Sequence, residues 1–546
     1  MSDASQIDSV LLGSAIAVPL AMLLAGASTR LRVRLPGLLP FAPIPALAAA
    51  LFGGYGSSLE FGNAAFTLTF ALDRPGAMLL GVAALLWIFC GSYAARDLRD
   101  KPKTGGFVVC WLLTLTGCVG VFLAADLIGF YFLLAVLSVG ASGLVLQGKG
   151  PMALHAGAVY LGLALVAEAF LLAGIVLLAA GTPDGSLLIR DATAAVADSP
   201  TRDLTLGLLI IGLGMKAGLV PLHVWMPLAY GAAPIPAAAV LSGAVVKASI
   251  LALIRFLPLD AALPDFGLPL ATIGLFGALY GVAVGITQSD PKHVLAYSSV
   301  SQMGFVVAVI GMGLATGDDG TALAAAFYSV HHLLVKGGLF LAVGVIAATG
   351  HSRPWPVLLP AAFIALGLGG LPLTGGALTK YAVKDLLGDG VAGTVAMVSS
   401  VATTLLMLHF LRRLMQTRHS DADARAPNGL VWPWLATALA SVAVPWALYL
   451  CIPIDTLPTA LSPTALWTAL WPVLVGAVLA FGLDRVWHYL PRIPAGDVGA
   501  VLRPMQRAGA AAALVLESAD TFVRRWAIAC IALVVLALLF GWTLVS

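Results

Sequence analysis

Apolar positions in this chain neither alternate nor form a stripe. They run unbroken for about 20 residues at a time, the length of helix that crosses a bilayer. Such runs fall near 9–28, 35–53, 75–95, 106–124, 126–147, 153–180, 204–227, 232–256, 268–288, 293–315, 321–349, 356–387, 391–411, 430–451, 463–483 and 526–545. The pattern predicts an all-α polytopic membrane protein with about 14–16 transmembrane helices and almost no soluble part. One segment departs from it: 491–523 scatters Arg492, Asp497, Arg503, Arg507, Glu517 and Asp520 among alanines and leucines. Its apolar content is too dilute to span, and an amphipathic helix on the cytoplasmic face suits it, leading to a terminal anchor at 526–545. The first run follows Asp3 and Asp8 rather than a basic segment, so it reads as a retained span and not a removable leader.

Composition places the whole chain in the bilayer. Of 546 residues 60% are apolar and 10% charged, and the mean hydropathy is +0.99, far from that of a soluble multi-domain chain. A net charge of +3 gives no reason to expect nucleic acid as a partner. Threading the runs alternately from an outside N-terminus puts twenty of the 29 lysines and arginines on one side. Only Arg74, Arg190, Arg202, Arg255 and Lys384 fall on the other, so the first side is cytoplasmic, as for a multi-pass protein of a bacterial-type cell membrane. Trp111, Trp225, Trp432, Trp434, Trp446, Trp471, Trp526 and Trp542 mostly lie near run ends and read as anchors at the membrane interface. The five cysteines sit in apolar runs without metal-ligand spacing, and no nucleotide loop, dinucleotide fingerprint, haem or iron–sulfur motif is present. The expectation is a chain with no cofactor and no metal of its own.

Against that background five charges stand out. Lys216, Lys247, Lys336 and Lys380 sit in the middle of apolar runs, and Glu168 sits in a fifth. Each costs roughly 2.5–3.5 kcal/mol on insertion scales, so such residues mark ion or proton pathways by default. Two runs are also built to break. In 212–227, Pro221 cannot donate to the carbonyl of Ala217, next to Lys216; in 367–380, Pro372 does the same to Leu368 among several glycines. Irregular backbone at membrane depth survives only where protein or a water-filled cavity surrounds it, and paired interruptions point to an inverted repeat with a midplane ion site.

The motifs that carry these residues resemble a known family. Lys216-Ala-Gly-Leu-Val-Pro-Leu-His-Val-Trp-Met-Pro227, Ala233-Pro-Ile-Pro-Ala237, Val246-Lys-Ala248, Asp290-Pro-Lys-His-Val-Leu-Ala-Tyr-Ser-Ser-Val-Ser-Gln-Met-Gly304 and His331-His-Leu-Leu-Val-Lys-Gly-Gly-Leu-Phe340 occur in order. Together they resemble the antiporter-like, proton-translocating subunits of respiratory complex I, and with them the related subunits of group 4 hydrogenases, formate hydrogenlyase and multisubunit cation/proton antiporters. The resemblance runs from about residue 106 to 415 and implies two inverted five-helix repeats, at 106–256 and 268–411. They would be flanked by N-terminal helices in 1–105, C-terminal helices in 430–490, the lateral segment 491–523 and the anchor. It further implies a midplane relay onto which Lys216, Lys247, His332, Lys336 and Lys380 fall, with His223, Tyr328, Pro221 and Pro372 in support. Partners would be other membrane subunits, the lipid bilayer and protons, with sodium as the alternative ion.

Departures from the family matter as much as the matches. Its essential glutamate falls on Ala135, while Glu168 appears in the middle of the next helix, where it reads as a relocated partner of Lys216. Leu228 stands where the family often has an acid, and Tyr230, Ser242 and Tyr328 stand where it has histidines. The chain therefore reads as a proton-translocating subunit of a complex-I-like or hydrogenase-type assembly. The alternatives are a subunit of a cation/proton antiporter and a subunit of an inorganic-carbon uptake complex.

Overall fold

Aspartates set where the helices begin. Asp73, Asp126 and Asp290 each accept a backbone N–H from the first turn of the next helix, at 2.6 Å from Gly76, 2.7 Å from Gly129 and 2.7 Å from Lys292, which satisfies donors that an unsupported helix start leaves open. The computed structural model describes residues 3–497 apart from 64–65, 100, 102–103, 353, 453–456 and 487–488. The terminal anchor and all but the first residues of the lateral segment lie outside the described residues. Among those described, 13 helices are long and apolar enough to cross a membrane. Two further crossings are broken, Arg202–Ala217 followed by Trp225–Ala232 and Trp355–Gly369 followed by Gly375–Ala382. All the runs read from sequence within 3–497 appear in the expected order.

The order of crossings repeats along the middle of the chain. Between Gly105 and Met415 the chain makes two sets of five, and the broken helix is the fourth member of each. An odd number of crossings returns the chain to the opposite face, so the second set starts inverted with respect to the first.

Hydrogen bonds between loops sort the same way as the threaded charges. On one face the Ala125 N–H reaches Thr69 at 2.8 Å, the Leu127 N–H reaches Leu187 at 2.9 Å, and Arg255 holds Asp73. On the other, the Gly350 N–H reaches Ala424 at 2.9 Å, and Lys292 Nζ donates to the carbonyls of Gly231 and Ala233 at 2.6 Å each. A helix missed or invented along the way would have mixed these partners.

Two features were absent from the sequence reading. An antiparallel hairpin, Ser58–Asn63 with Phe66–Ala71, links the second and third crossings. The crossing Ile235–Phe256 contains a π-helical turn, Leu241–Val245, directly before Lys247. The core sits around Ile235–Phe256, Pro291–Thr316 and Thr321–Ala347, whose apolar lengths are enclosed by protein nearly throughout. Helices Gln6–Ala25 and Pro463–Leu483, first and last of the described spans, leave most of their surface uncovered by the other described residues. Trp111 and Trp434 are fully buried in the core, so they are not interface anchors; their large rings fill space between crossings.

Candidate ion relay

Each break ends a helix with glycine rather than with proline. Gly218 (φ 76°) and Gly370 (φ 104°) adopt the left-handed conformation that caps helix C-termini. Pro221 and Pro372 then lie in the connecting turns, so the carbonyls of Ala217 and Leu368 are not opened by a missing proline donor within a continuing helix, as sequence reasoning expected. The helix has already stopped when the proline arrives. Two indoles brace the turns: Trp225 Nε1 donates to the Met215 carbonyl at 2.9 Å, and Trp446 Nε1 to that of Leu373 at 3.2 Å. Trp225 is buried, so its reading as an interface anchor is corrected; Trp446 makes its bond at the exposed Leu373, a place an interface ring can occupy while bracing the turn.

At the first break Lys216 lies in the last turn of its half-helix, where the helix dipole favours a cation. Its ammonium donates to Glu168 Oε1 at 2.7 Å and to Ser138 Oγ at 2.7 Å. The pair is buried, with side-chain exposures of 11% for Lys216 and 8% for Glu168. Glu168 thus sits where a relocated carboxylate was expected. Ser138, one turn beyond Ala135 on the same helix face, was missed; its i+3 spacing from the vacated glutamate position was the available signal. A cavity of about 30 Å³ beside the pair is lined by Ser138, Tyr160, Lys216, Val246 and Ser249, room for a water or two next to the turn that carries Lys247. His223, in the turn of the break, is buried and packs its ring edge-on against Tyr280 at 5.3 Å.

In the centre, Lys247 Nζ lies 2.7 Å from His332 Nδ1. The π-helical turn inserts one residue, which rotates the rest of the helix by about 100° and brings Lys247 to that histidine. Lys336, one turn beyond His332, donates to the Leu295 carbonyl at 2.8 Å. His332 Nε2, Ser298 Oγ and Ser329 Oγ are buried without a hydrogen-bond partner among the described residues. Buried polar groups of this kind are ordinarily satisfied by ordered water.

At the second break Lys380 comes from the half-helix after the turn, the reverse of Lys216, yet reaches the same kind of place. Its ammonium donates to the Gly369 carbonyl, the end of the preceding half-helix, at 2.7 Å and to Ser400 Oγ at 2.8 Å. A cavity of about 390 Å³ opens from Lys380 to Tyr381, Lys384, Asp389, Ser400 and Thr464. Tyr328 does not complete the line. Its hydroxyl donates to Gln302 Oε1 at 2.6 Å, and Gln302 Nε2 donates to Thr403 Oγ1 at 3.2 Å. Of the other replaced histidines, Ser242 pairs with Ser299 at 2.9 Å and Tyr230 reaches the Leu241 carbonyl at 3.4 Å. No group of histidine, cysteine or carboxylate side chains among the described residues could hold a metal ion.

The geometry arranges a carboxylate, four amines and an imidazole in the interior of the bilayer-spanning region, from one helix break to the other. Comparison with known proteins bears on what such an arrangement serves. The sequence signature of the family described as NADH:quinone oxidoreductase/Mrp antiporter, transmembrane, matches residues 124–406. The chain is 33% identical to NADH-quinone oxidoreductase subunit N of Desulforudis audaxviator over 61% of this chain and 68% of that protein. It is 26% identical to a Na(+)/H(+) antiporter subunit of Bacillus subtilis over 69% of this chain and 80% of that protein. Among solved structures, a chain of the Mrp complex from Dietzia superposes with a TM-score of 0.71 at 22% identity, covering 87% of this chain and 99% of that one, a likeness of fold.

Proposed function

Because the chain belongs to the NADH:quinone oxidoreductase/Mrp antiporter transmembrane family, as an antiporter-like membrane subunit, we propose that it translocates protons through the line Glu168, Lys216, Lys247, His332, Lys336 and Lys380. It would do so inside a complex-I-like or hydrogenase-type assembly.

The observation that carries this reading is the contact between Lys247 and His332. Two positive charges 2.7 Å apart repel by about 6 kcal/mol even at an effective dielectric of 20. Buried as they are, the two groups hold one proton between them at most, and a group that shares a proton with its neighbour is placed to hand it on. The pair also joins the two sets of five crossings, since Lys247 belongs to the last helix of the first and His332 to the third of the second. We read residues 106–256 and 268–411 as inverted repeats, each supplying one broken helix and one route to a membrane face. Proton loading at Lys216 would be set by Glu168, and the cavity at Lys380 would open the other end.

The direct test is proton uptake into inverted membrane vesicles from cells producing the native assembly, with a strain lacking this chain as the zero. Lys247→Met should abolish the chain-dependent uptake at unchanged assembly content. Uptake at the wild-type rate would remove the reading. A cation/proton antiporter subunit would use the same relay, and the likeness to the Bacillus subtilis antiporter subunit favours that as the second reading. Chain-dependent uptake that needs sodium and no electron donor would select it.

A further inference from the structure

The proposed relay has a gap between its central group, Lys247, His332 and Lys336, and Lys380, because the Lys336 ammonium is turned to the Leu295 carbonyl. His332 faces Lys247, and Lys380 lies on another helix across the second break. The resemblance puts a histidine at position 328, one turn from His332, but tyrosine stands there. The Tyr328 hydroxyl is committed to Gln302, and Gln302 to Thr403. A phenol that donates to an amide carries no positive charge, and the amide does not take up a proton near neutral pH.

His331 is the remaining candidate. It is buried on the helix Thr321–Ala347, which protein encloses over most of its length, and is adjacent in sequence to His332. Neighbouring residues on a helix point about 100° apart, so while His332 turns to Lys247, His331 turns elsewhere. Its ring packs on the backbone of Gly375 and Gly376, where the half-helix bearing Lys380 begins. A Cβ added to either glycine would come within 2.8 Å and 2.9 Å of the imidazole. The ring lies within Coulombic range of both Lys380 and His332. On the same helix, His332 Nε2 and Ser329 Oγ are buried polar atoms without a partner among the described residues, the kind of groups a bridging water serves.

Building on the proposed relay, we infer that His331 is the carrier that links His332 to Lys380, in place of the histidine missing at 328. One ring nitrogen takes a proton from His332 through water, and the other gives one to the Lys380 amine, with the reverse order for the opposite direction. Each transfer breaks one N–H bond and forms another, so no oxidant or reductant is required. The arrangement gives residue 331, which sequence reasoning passed over, a place in this chain's relay.

The test uses chain-dependent proton uptake in inverted vesicles, normalised to assembly content, for H331N, H331Q, H331N/Y328H and, as reference, K336A. H331N and H331Q should lower uptake on the order of 10²-fold, the low end of what one positioned proton-transfer group contributes. Adding Y328H should restore a substantial part, because it returns an imidazole to the same helix face. Uptake at the wild-type rate in H331N while K336A stops it would overturn the inference and leave the relay standing. Uptake unaffected by K336A would overturn the relay itself. Loss that tracks assembly content across all variants, with no rescue by Y328H, would show His331 to be a packing residue and overturn the inference too.

Discussion

Replacing Glu168 by glutamine separates a gating carboxylate from a structural one. Glutamine keeps the shape and one carbonyl acceptor but removes the charge 2.7 Å from Lys216. At an effective dielectric of 20 the lost attraction is about 6 kcal/mol, but the desolvation that both ions had to bear is recovered in part. Lys216 keeps its bond to Ser138 and can shed its proton, so the net destabilisation should be about 1–3 kcal/mol, that of one charge-assisted hydrogen bond. Transport should suffer more, by about 10²-fold, because loading of Lys216 is no longer biased by its partner. Paired measurements of thermal stability of the purified assembly and of proton uptake in vesicles read the two effects separately. The double variant E168Q/K216M should regain stability, as neutral replacements of buried pairs commonly do, while uptake stays abolished. Uptake at the wild-type rate in E168Q, or uptake that falls only in proportion to assembly lost, would refute the reasoning.

Three further outcomes are expected from the geometry. Gly218→Ala places a Cβ in the left-handed region at φ 76° and should cost about 1–2 kcal/mol in thermal stability; an unchanged melting temperature would contradict the capped break. Single cysteines beside Lys216 and Lys380 should be labelled by membrane-impermeant reagents from opposite faces if the two sets of crossings are inverted repeats, and from one face if they are not. Asp73, outside the spans, has a side chain 46% exposed; partial desolvation by the surrounding protein raises its pKa, but the Arg255 guanidinium bonds both its oxygens and holds it below the ordinary carboxylate range. A depressed carboxylate contributes stability that is present above its unfolded value near pH 4 and is lost as pH falls through the folded one. Asp73→Asn should therefore flatten the acid limb of the stability profile and leave the neutral limb parallel to wild type.

Much of this fold was legible because charge in lipid is costly. The same penalty that makes a 20-residue apolar run a span makes Lys216, Lys247, Lys336, Lys380 and Glu168 conspicuous, and it dictated that Glu168 have a cationic partner. What was not legible depends on proximity in space. Ser138, Gln302 and His331 are ordinary residues until a neighbouring helix presents a lysine, a tyrosine or a glycine pair to them. The π-helical turn before Lys247 leaves no mark in hydropathy, since one inserted residue changes direction and not composition. Trp225 had the placement of an interface anchor and is instead a buried brace of the broken backbone. The prolines pointed to both breaks, although it is glycine that ends each helix.

The most direct test of the central claim is Lys336→Ala, since Lys336 is fully buried and shares a helix with His332. Assembly content is measured by quantifying this chain in purified complexes, and proton uptake is measured in vesicles from the same cells. Near-complete assembly with chain-dependent uptake abolished is the expected result. Impaired assembly, with the surviving complexes translocating protons at the normal rate, would mark Lys336 as a structural lysine and contradict the relay.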